Sequence, residues 1–196
     1  MNITRLGLSF DDTTSAQYKW ARWLSEVGIT ATFYVSPGRL GGFNNLTPAT
    51  LDAIQALGHR IGNHTWRHEC PKRDGMEAAW ESIERAREWL EARGAEGKTL
   101  ALPYGSRGGA WPEEWIAARI VEGWSVRDVR GADEPCGRFA WPAAVELTSQ
   151  QMPLLRTGED NYVYAHGNTE LVDEVFVVYA NRVLAGVTAG EFELIR

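Results

Sequence analysis

The sequence predicts a parallel α/β fold. Short apolar segments typical of strands alternate with segments of helical periodicity along most of the chain, and glycine or proline stands at many boundaries between them. Of the 196 residues, 44% are hydrophobic and 23% are charged, which is ordinary for a globular protein. This length is enough for one hydrophobic core, so we expect a single domain over residues 1–196.

Five elements are predicted in the first third of the chain. Gly28 and Gly58 end two segments of helical periodicity, while Thr47 is a typical N-cap and Pro48 suits a first helical turn. β-Branched and aromatic residues indicate the second strand. The elements are a strand Leu6–Phe10, a helix Ala16–Val27, a strand Ile29–Val35, a helix Thr47–Leu57 and a strand Arg60–Gly62.

The remainder continues this alternation. Gly94 ends a helix and Pro112 begins another, whereas the prolines between Asp133 and Gln151 predict an irregular stretch. The final helix contains β-branched residues that also favour a strand. The elements are a helix Met76–Arg93, a strand Thr99–Leu102, a helix Pro112–Val121, a strand Trp124–Val126, a strand Asn161–Ala165, a helix Val172–Val183 and a strand Phe192–Ile195.

Composition excludes several classes of partner. The net charge is −6 and no block of Lys and Arg could neutralise a row of phosphates, so we expect no nucleic-acid partner. No apolar run approaches the roughly 20 residues that a membrane span needs, so we expect no membrane partner. The residues after Met1 do not form a secretory leader, which predicts a cytoplasmic protein, or a secreted one if a native leader precedes them.

Chemically versatile residues follow the carboxyl ends of four predicted strands. In a parallel sheet that closes into a barrel, those ends lie on one face, where active sites form. We therefore expect these residues to lie close together. They are Asp11 and Asp12, His64 and His68, Pro103 to Gly105, and His166.

The acidic pair and the two histidines suggest a metal site. One carboxylate with two imidazoles is the ligand set of a catalytic divalent metal that keeps a position open, and the second carboxylate is then available as a base. Simpler interpretations exist for each part alone. Two histidines four residues apart are often ordinary surface or core residues, an Asp-Asp pair can cap a helix, and His166 can be a hydrogen-bonded core histidine.

Five segments extend this pattern over the chain. They are Ser9-Phe10-Asp11-Asp12, Gly62-Asn63-His64-Thr65-Trp66-Arg67-His68, Pro103-Tyr104-Gly105, Trp124-Ser125-Val126 with Asp128, and Tyr164-Ala165-His166. In order and spacing the sequence resembles the polysaccharide deacetylases with the NodB homology domain, carbohydrate esterase family 4. The resemblance implies a distorted (β/α) barrel, usually with seven strands, and metal-dependent hydrolysis of an N-acetyl group.

The resemblance also implies roles for individual residues. Asp12, His64 and His68 would bind a divalent metal, with Zn²⁺ as first choice and Co, Ni or Mn as alternatives. Asp11 would be the general base that deprotonates water, and His166 the general acid that protonates the leaving amine.

Further residues are expected to line the substrate site. The backbone N–H of Tyr104, next to Pro103, would help bind the oxyanion. Among the nine tryptophans, Trp66 within the histidine motif and Trp111 and Trp141 in predicted loops are candidates for lining a groove, because aromatic faces stack on sugar rings.

One departure from the family affects the base. The third motif normally has an arginine two positions before its proline, where it holds the catalytic aspartate, and here that position is Ala101. Arg107 or Arg127 can supply the charge from a neighbouring segment, and Asp128 is a further candidate for tuning the site.

These interpretations predict an N-deacetylase acting on an N-acetylhexosamine glycan or a smaller N-acetylated sugar. Two alternatives stay open: another small-molecule amidohydrolase on the same barrel, or a catalytically weak glycan-binding descendant, which Ala101 would favour. A conventional zinc protease does not fit, because its His-Glu-x-x-His motif is missing. The sequence does not indicate an oligomeric state.

Overall fold

A computed structural model describes residues 4–105, 110–127, 144–146, 160–166, 181 and 183–194. Eight strands lie in these ranges: β1 (Thr4–Asp11), β2 (Thr32–Val35), β3 (Arg60–Asn63), β4 (Thr99–Ala101), β5 (Ser125–Arg127), β6 (Ala144–Glu146), β7 (Asp160–His166) and β8 (Phe192–Leu194). The helices are α1 (Ala16–Glu26), α2 (Pro48–Ala56), α3 (Pro71–Asp74), α4 (Met76–Glu91) and α5 (Glu113–Val121), with a 3₁₀ turn at Pro37–Arg39 and helical residues at 183–188.

The strands form one parallel sheet in the order β5-β4-β3-β2-β1-β7-β6. Strand β1 is central to it: β7 pairs along most of its length, β2 pairs at Ser9 and Phe10, and β8 pairs at Thr4 to Leu6. Every described pairing between named strands is parallel, which confirms the predicted class of sheet. The carboxyl ends of these strands therefore lie at one edge, as the site prediction requires.

Local sequence explains the best-predicted helix, α2. The Thr47 side chain accepts a hydrogen bond from the Thr50 N–H, and Thr50 Oγ1 accepts one from the Thr47 N–H, which forms a reciprocal capping box. Pro48 occupies the first turn, where its missing N–H costs nothing. Among the described residues, no helix is long and apolar enough to cross a membrane.

The structure corrects three expectations. β2 begins at Thr32 rather than Ile29, because the Ile29 N–H donates to Leu24 O at the end of α1 instead of pairing in the sheet. A strand, β6, lies inside the stretch predicted to be irregular. The short helix α3 was not predicted at all. Most of the predicted helix Val172–Val183 lies outside the described residues.

Two apolar clusters support the sheet. One joins the inner strands to α1 and α2 around Phe10, whose ring stacks on Phe33 at 4.9 Å between centroids. The other packs α4 and α5 against β4 and β5, with Trp111 and Leu100 fully buried within it. The first cluster therefore supports β1 to β3, and the second supports β4 and β5.

Candidate metal centre and active site

The three predicted metal ligands lie together in the structure. Asp12 follows β1, His64 follows β3, and His68 lies in the loop beyond it. Asp12 Oδ1 lies 3.0 Å from His68 Nε2 and 3.4 Å from His64 Nε2. One ligand atom from each residue falls within 4.8 Å of the others, which fits a cluster able to hold a metal ion.

His64 has the protonation geometry of a metal ligand. Its Nδ1 lies 2.9 Å from the carbonyl oxygen of Ala101, which can only accept, so Nδ1 carries the proton. In the neutral ring Nε2 then presents a lone pair, and this buried atom has no hydrogen-bond partner. Because a buried acceptor without a partner is costly, a cation between His64 and Asp12 suits this donor set.

His68 is also poised as a neutral ligand. Burial lowers the pKa of its imidazole below the ordinary value, although the hydrogen bond to Asp12 opposes this. The ring of Tyr104 meets it edge to face, 4.7 Å between centroids. Arg73 fixes this pair, because it donates to the Tyr104 hydroxyl at 3.1 Å and to His68 O at 2.9 Å.

The loops at the site have an unusual backbone. Six non-glycine residues in the described ranges have positive φ, and all but Asn44 belong to the metal cluster or to its immediate neighbours. Such conformations cost free energy and persist where surrounding contacts impose them, typically at functional sites. The five are Asp12, Thr13, Thr65, His68 and Tyr104.

Side-chain hydrogen bonds hold the loop that contains Thr65 and His68. Asn63 accepts from the Thr65 N–H at 2.8 Å and donates to Ile83 O at 3.0 Å, which ties the histidine loop to α4. Glu69 accepts from the Thr65 hydroxyl, the Arg67 N–H and the Ser82 hydroxyl. The loop that carries His68 is therefore fastened at several points by protein contacts.

Asp11 is not one of the three clustered residues, and its side chain has its own partner. Its side chain is 1% exposed, and its Oδ1 accepts a hydrogen bond from Nη2 of Arg127, which is 4% exposed. Arg127 is thus the residue that places a cation beside Asp11, whereas position 101, where the resemblance implies an arginine, is Ala101. Arg107, the other predicted source of this charge, lies outside the described residues.

Of the remaining predicted site residues, three lie at the carboxyl ends of strands and two lie outside the described residues. His166 ends β7 in direct register with Asp11 on β1, so the two backbones are adjacent. Pro103 and Tyr104 follow β4 at the same edge, and Tyr104 is 56% exposed. Asp128 and Trp141 lie outside the described residues.

The two described tryptophans from the groove prediction are not equivalent. Trp111 is 1% exposed and donates from Nε1 to Pro103 O at 2.8 Å, so the interpretation of Trp111 as a groove residue was wrong. Trp111 instead anchors the Pro103-Tyr104-Gly105 segment to the second apolar cluster. Trp66 is partly buried, with the Arg85 guanidinium 4.0 Å above its ring.

Sequence reasoning missed two neighbours of the site. Arg39 lies 3.9 Å from Asp12 Oδ1 and comes shortly after β2. A search for polar residues that follow the carboxyl ends of predicted strands would have found it. The ring of Tyr34 lies 4.6 Å from the Arg127 guanidinium, but a tyrosine within a buried strand gives no sequence signal for this contact.

Comparisons with known proteins agree with this architecture. Similar solved structures include a polysaccharide deacetylase from Bacillus cereus, with 19% identity, a TM-score of 0.66, and coverage of 98% of this chain and 90% of that one. A family 4 carbohydrate esterase from Streptomyces lividans, in complex with acetate, has 15% identity, a TM-score of 0.65, and coverage of 96% and 90%. These similarities confirm the predicted distorted (β/α) barrel.

A peptidoglycan deacetylase from Bacillus subtilis shows the same fold, with 18% identity, a TM-score of 0.66, and coverage of 98% of this chain and 87% of that one. No curated protein sequence matches the chain significantly. The family model described as polysaccharide deacetylase matches residues 2–116, which is more than half of the 196 residues. The chain therefore belongs to the polysaccharide deacetylase family.

Proposed function

We propose that this protein is a metal-dependent N-deacetylase that hydrolyses the acetamide of an N-acetylated sugar or glycan. The observation that supports it most directly is the arrangement of Asp12, His64 and His68 beside a second buried carboxylate, Asp11. A metal ligand set and a separate base are the two components that metal-assisted hydrolysis of an unreactive amide uses.

Asp12, His64 and His68 would hold the ion. One carboxylate and two imidazoles favour Zn²⁺, and Co, Ni or Mn suit the same donors. The ion would supply Lewis-acid polarisation of the amide carbonyl and activation of a water molecule. The lone pair on His64 Nε2, fixed by the Nδ1 contact with Ala101 O, is the feature of the chain that best fits this role.

Asp11 and His166 would move the protons. The carboxylate of Asp11 would accept a proton from the attacking water. His166 would give a proton to the amine nitrogen as the carbon–nitrogen bond breaks. Acetate and the free amine are the products. Strand pairing supports this assignment, because Asp11 and His166 are in register on adjacent strands. Tyr104, exposed at the rim, would contact the substrate.

An N-acetylhexosamine glycan is the proposed substrate class. The similar structures include a peptidoglycan deacetylase and a polysaccharide deacetylase, which supports a glycan over a small amide. The argument for a catalytically weak glycan-binding descendant depended on Ala101. Because Arg127 places a cation beside Asp11, that argument loses its basis.

The decisive experiment separates the two aspartates. Purified wild-type protein, Asp11→Asn and Asp12→Asn are loaded with Zn²⁺, dialysed, and measured for metal content and for acetate release from chitooligosaccharides, peptidoglycan fragments and N-acetylated monosaccharides. We expect Asp11→Asn to keep its metal and to lose roughly 10²-fold or more in turnover, whereas Asp12→Asn loses both. Asp52→Asn is the control, since Asp52 lies in α2 and forms an ion pair with Arg93.

Three outcomes would contradict the proposal. Equal metal loss in both variants would mean that the roles of the aspartates are misassigned. Undiminished metal in His64→Ala would remove the ligand set. Turnover of small amides without any acetate from glycans would favour the alternative amidohydrolase.

A further inference from the structure

A buried ion pair joins β5, the edge strand of the sheet order, to β1 in its centre. Arg127 is the last residue of β5 and Asp11 the last of β1, and three strands separate them in the sheet order. Their side chains nevertheless meet, both almost fully buried. A side chain from β5 can reach β1 only if the positions between them leave room.

The intervening strands provide that room. Gly62 on β3 has no side chain, and a Cβ built there would lie 2.7 Å from the ring of Tyr34 and 3.0 Å from Thr99 O. Ala101, the register partner of Arg127 on β4, has only a methyl group. An arginine at position 101 and one at position 127 would therefore compete for the same interior space.

Tyr34 holds the guanidinium from the other side. Its ring lies 4.6 Å from the Arg127 guanidinium carbon, which is the geometry of a cation–π contact. Tyr34 and Gly62 are register partners, so the missing Cβ lets the ring lie flat across β3. With Tyr34 on one side and Asp11 at its tip, the guanidinium has a fixed position.

We propose that Arg127 is a positioning residue for Asp11, delivered from β5 across Ala101 and Gly62 and held in place by Tyr34. This inference rests on the proposed function, in which Asp11 is the base. The contact uses Oδ1 of Asp11, so the other carboxylate oxygen is the one that takes the water proton. Arg127 itself touches no reacting atom.

The alternative is a merely structural ion pair, which stabilises the fold without influencing turnover. The two roles differ in what a cation supplied from elsewhere can do. A positioning role depends on a guanidinium at Asp11, whichever strand provides it, whereas a structural role depends on the intact β5 side chain. Exchange and chemical rescue therefore separate them.

The experiment compares four zinc-loaded proteins: wild type, Arg127→Met, Arg127→Ala, and the exchange Ala101→Arg with Arg127→Ala. The exchange keeps composition and total side-chain volume. For Arg127→Met we expect kcat to fall roughly 10²-fold with KM changed less than about threefold and the zinc content unchanged. Free guanidinium should restore activity to Arg127→Ala, the exchange variant should recover most of kcat, and urea, a neutral molecule of the same shape, should restore nothing.

Each outcome decides the question. Unchanged kcat in Arg127→Met, or a rise in KM alone, refutes positioning. Failure of both guanidinium and the exchange to restore any activity, in proteins with normal circular dichroism, assigns Arg127 a structural role. If Arg127→Met does not fold, the exchange and Arg127→Lys, which keep a cation, decide instead. A wild-type protein that releases no acetate refutes the proposed function, which is a different result from an active wild type that is indifferent to Arg127.

Discussion

Replacing Gly62 by alanine tests the packing on which the ion pair depends. In an ordinary strand this change stabilises a protein by about 0.5–1 kcal/mol, because glycine loses more backbone entropy on folding. At position 62 we expect the opposite sign. The new Cβ would lie 2.7 Å from Cδ1 and Cε1 of Tyr34 and 3.0 Å from the backbone oxygen of Thr99.

Neither neighbour can move away easily. Thr99 O belongs to β4, and the Tyr34 ring is buried against Arg127. Overpacking of this kind costs about 1–3 kcal/mol, so after the entropic gain we expect the free energy of unfolding to fall by roughly 1 kcal/mol. A displaced Tyr34 also withdraws support from Arg127, so turnover should fall along with stability.

Urea unfolding of wild type, Gly62→Ala, Tyr34→Ala and the double variant measures the effect. The double-mutant cycle isolates the clash: Gly62→Ala should cost much less free energy of unfolding once the Tyr34 ring is gone. If Gly62→Ala stabilises the protein, or if the two changes are additive, then Tyr34 does not occupy the space above Gly62 and this account of the interior is wrong.

Two further predictions concern charge. The His59 ring accepts a hydrogen bond from the Ala31 N–H and contacts Ala21 O, and burial lowers its pKa. Below a pH of about 6.5 the histidine is therefore protonated more readily in the unfolded chain than in the folded one, so the free energy of unfolding falls as the pH drops. Urea unfolding in EDTA should show a shallower loss for His59→Gln than for wild type, and equal slopes would contradict this. Arg39 lies 3.9 Å from Asp12 and is partly exposed, so its positive charge should repel a zinc ion at Asp12 by about 1 kcal/mol or less. Arg39→Ala should therefore tighten zinc binding by only a few-fold, and a calorimetric titration that shows weaker binding would contradict the assignment.

Sequence patterns predicted the parts of the fold that local chemistry determines. Glycine stops, the Thr47 cap and the strand-end rule placed the helices and brought Asp12, His64 and His68 to one edge of the sheet. These signals are local, or they follow from the parallel class of the sheet. The structure agrees with them at nearly every described element.

Contacts between distant residues were not predictable in the same way. The sequence offered two arginines, Arg107 and Arg127, that could supply the cation beside Asp11. The reason why Arg127 reaches Asp11 appears only in the sheet order, where Gly62 and Ala101 leave room for its side chain. Trp111 was misplaced because a loop position does not reveal that its indole N–H is needed by Pro103 O. The positive φ of Asp12 and His68 likewise has no counterpart among the local sequence signals.

The register between β1 and β7 has a consequence for the order of events during synthesis. Asp11 and both histidines are translated early, while their neighbour His166 is more than 150 positions from Asp11 in the sequence. Contacts of such long separation form late, because closing a long loop is entropically unfavourable. A nascent chain can therefore assemble the cluster to which we assign metal binding well before it has the residue to which we assign proton donation. Competence to bind metal would then precede competence to turn over substrate.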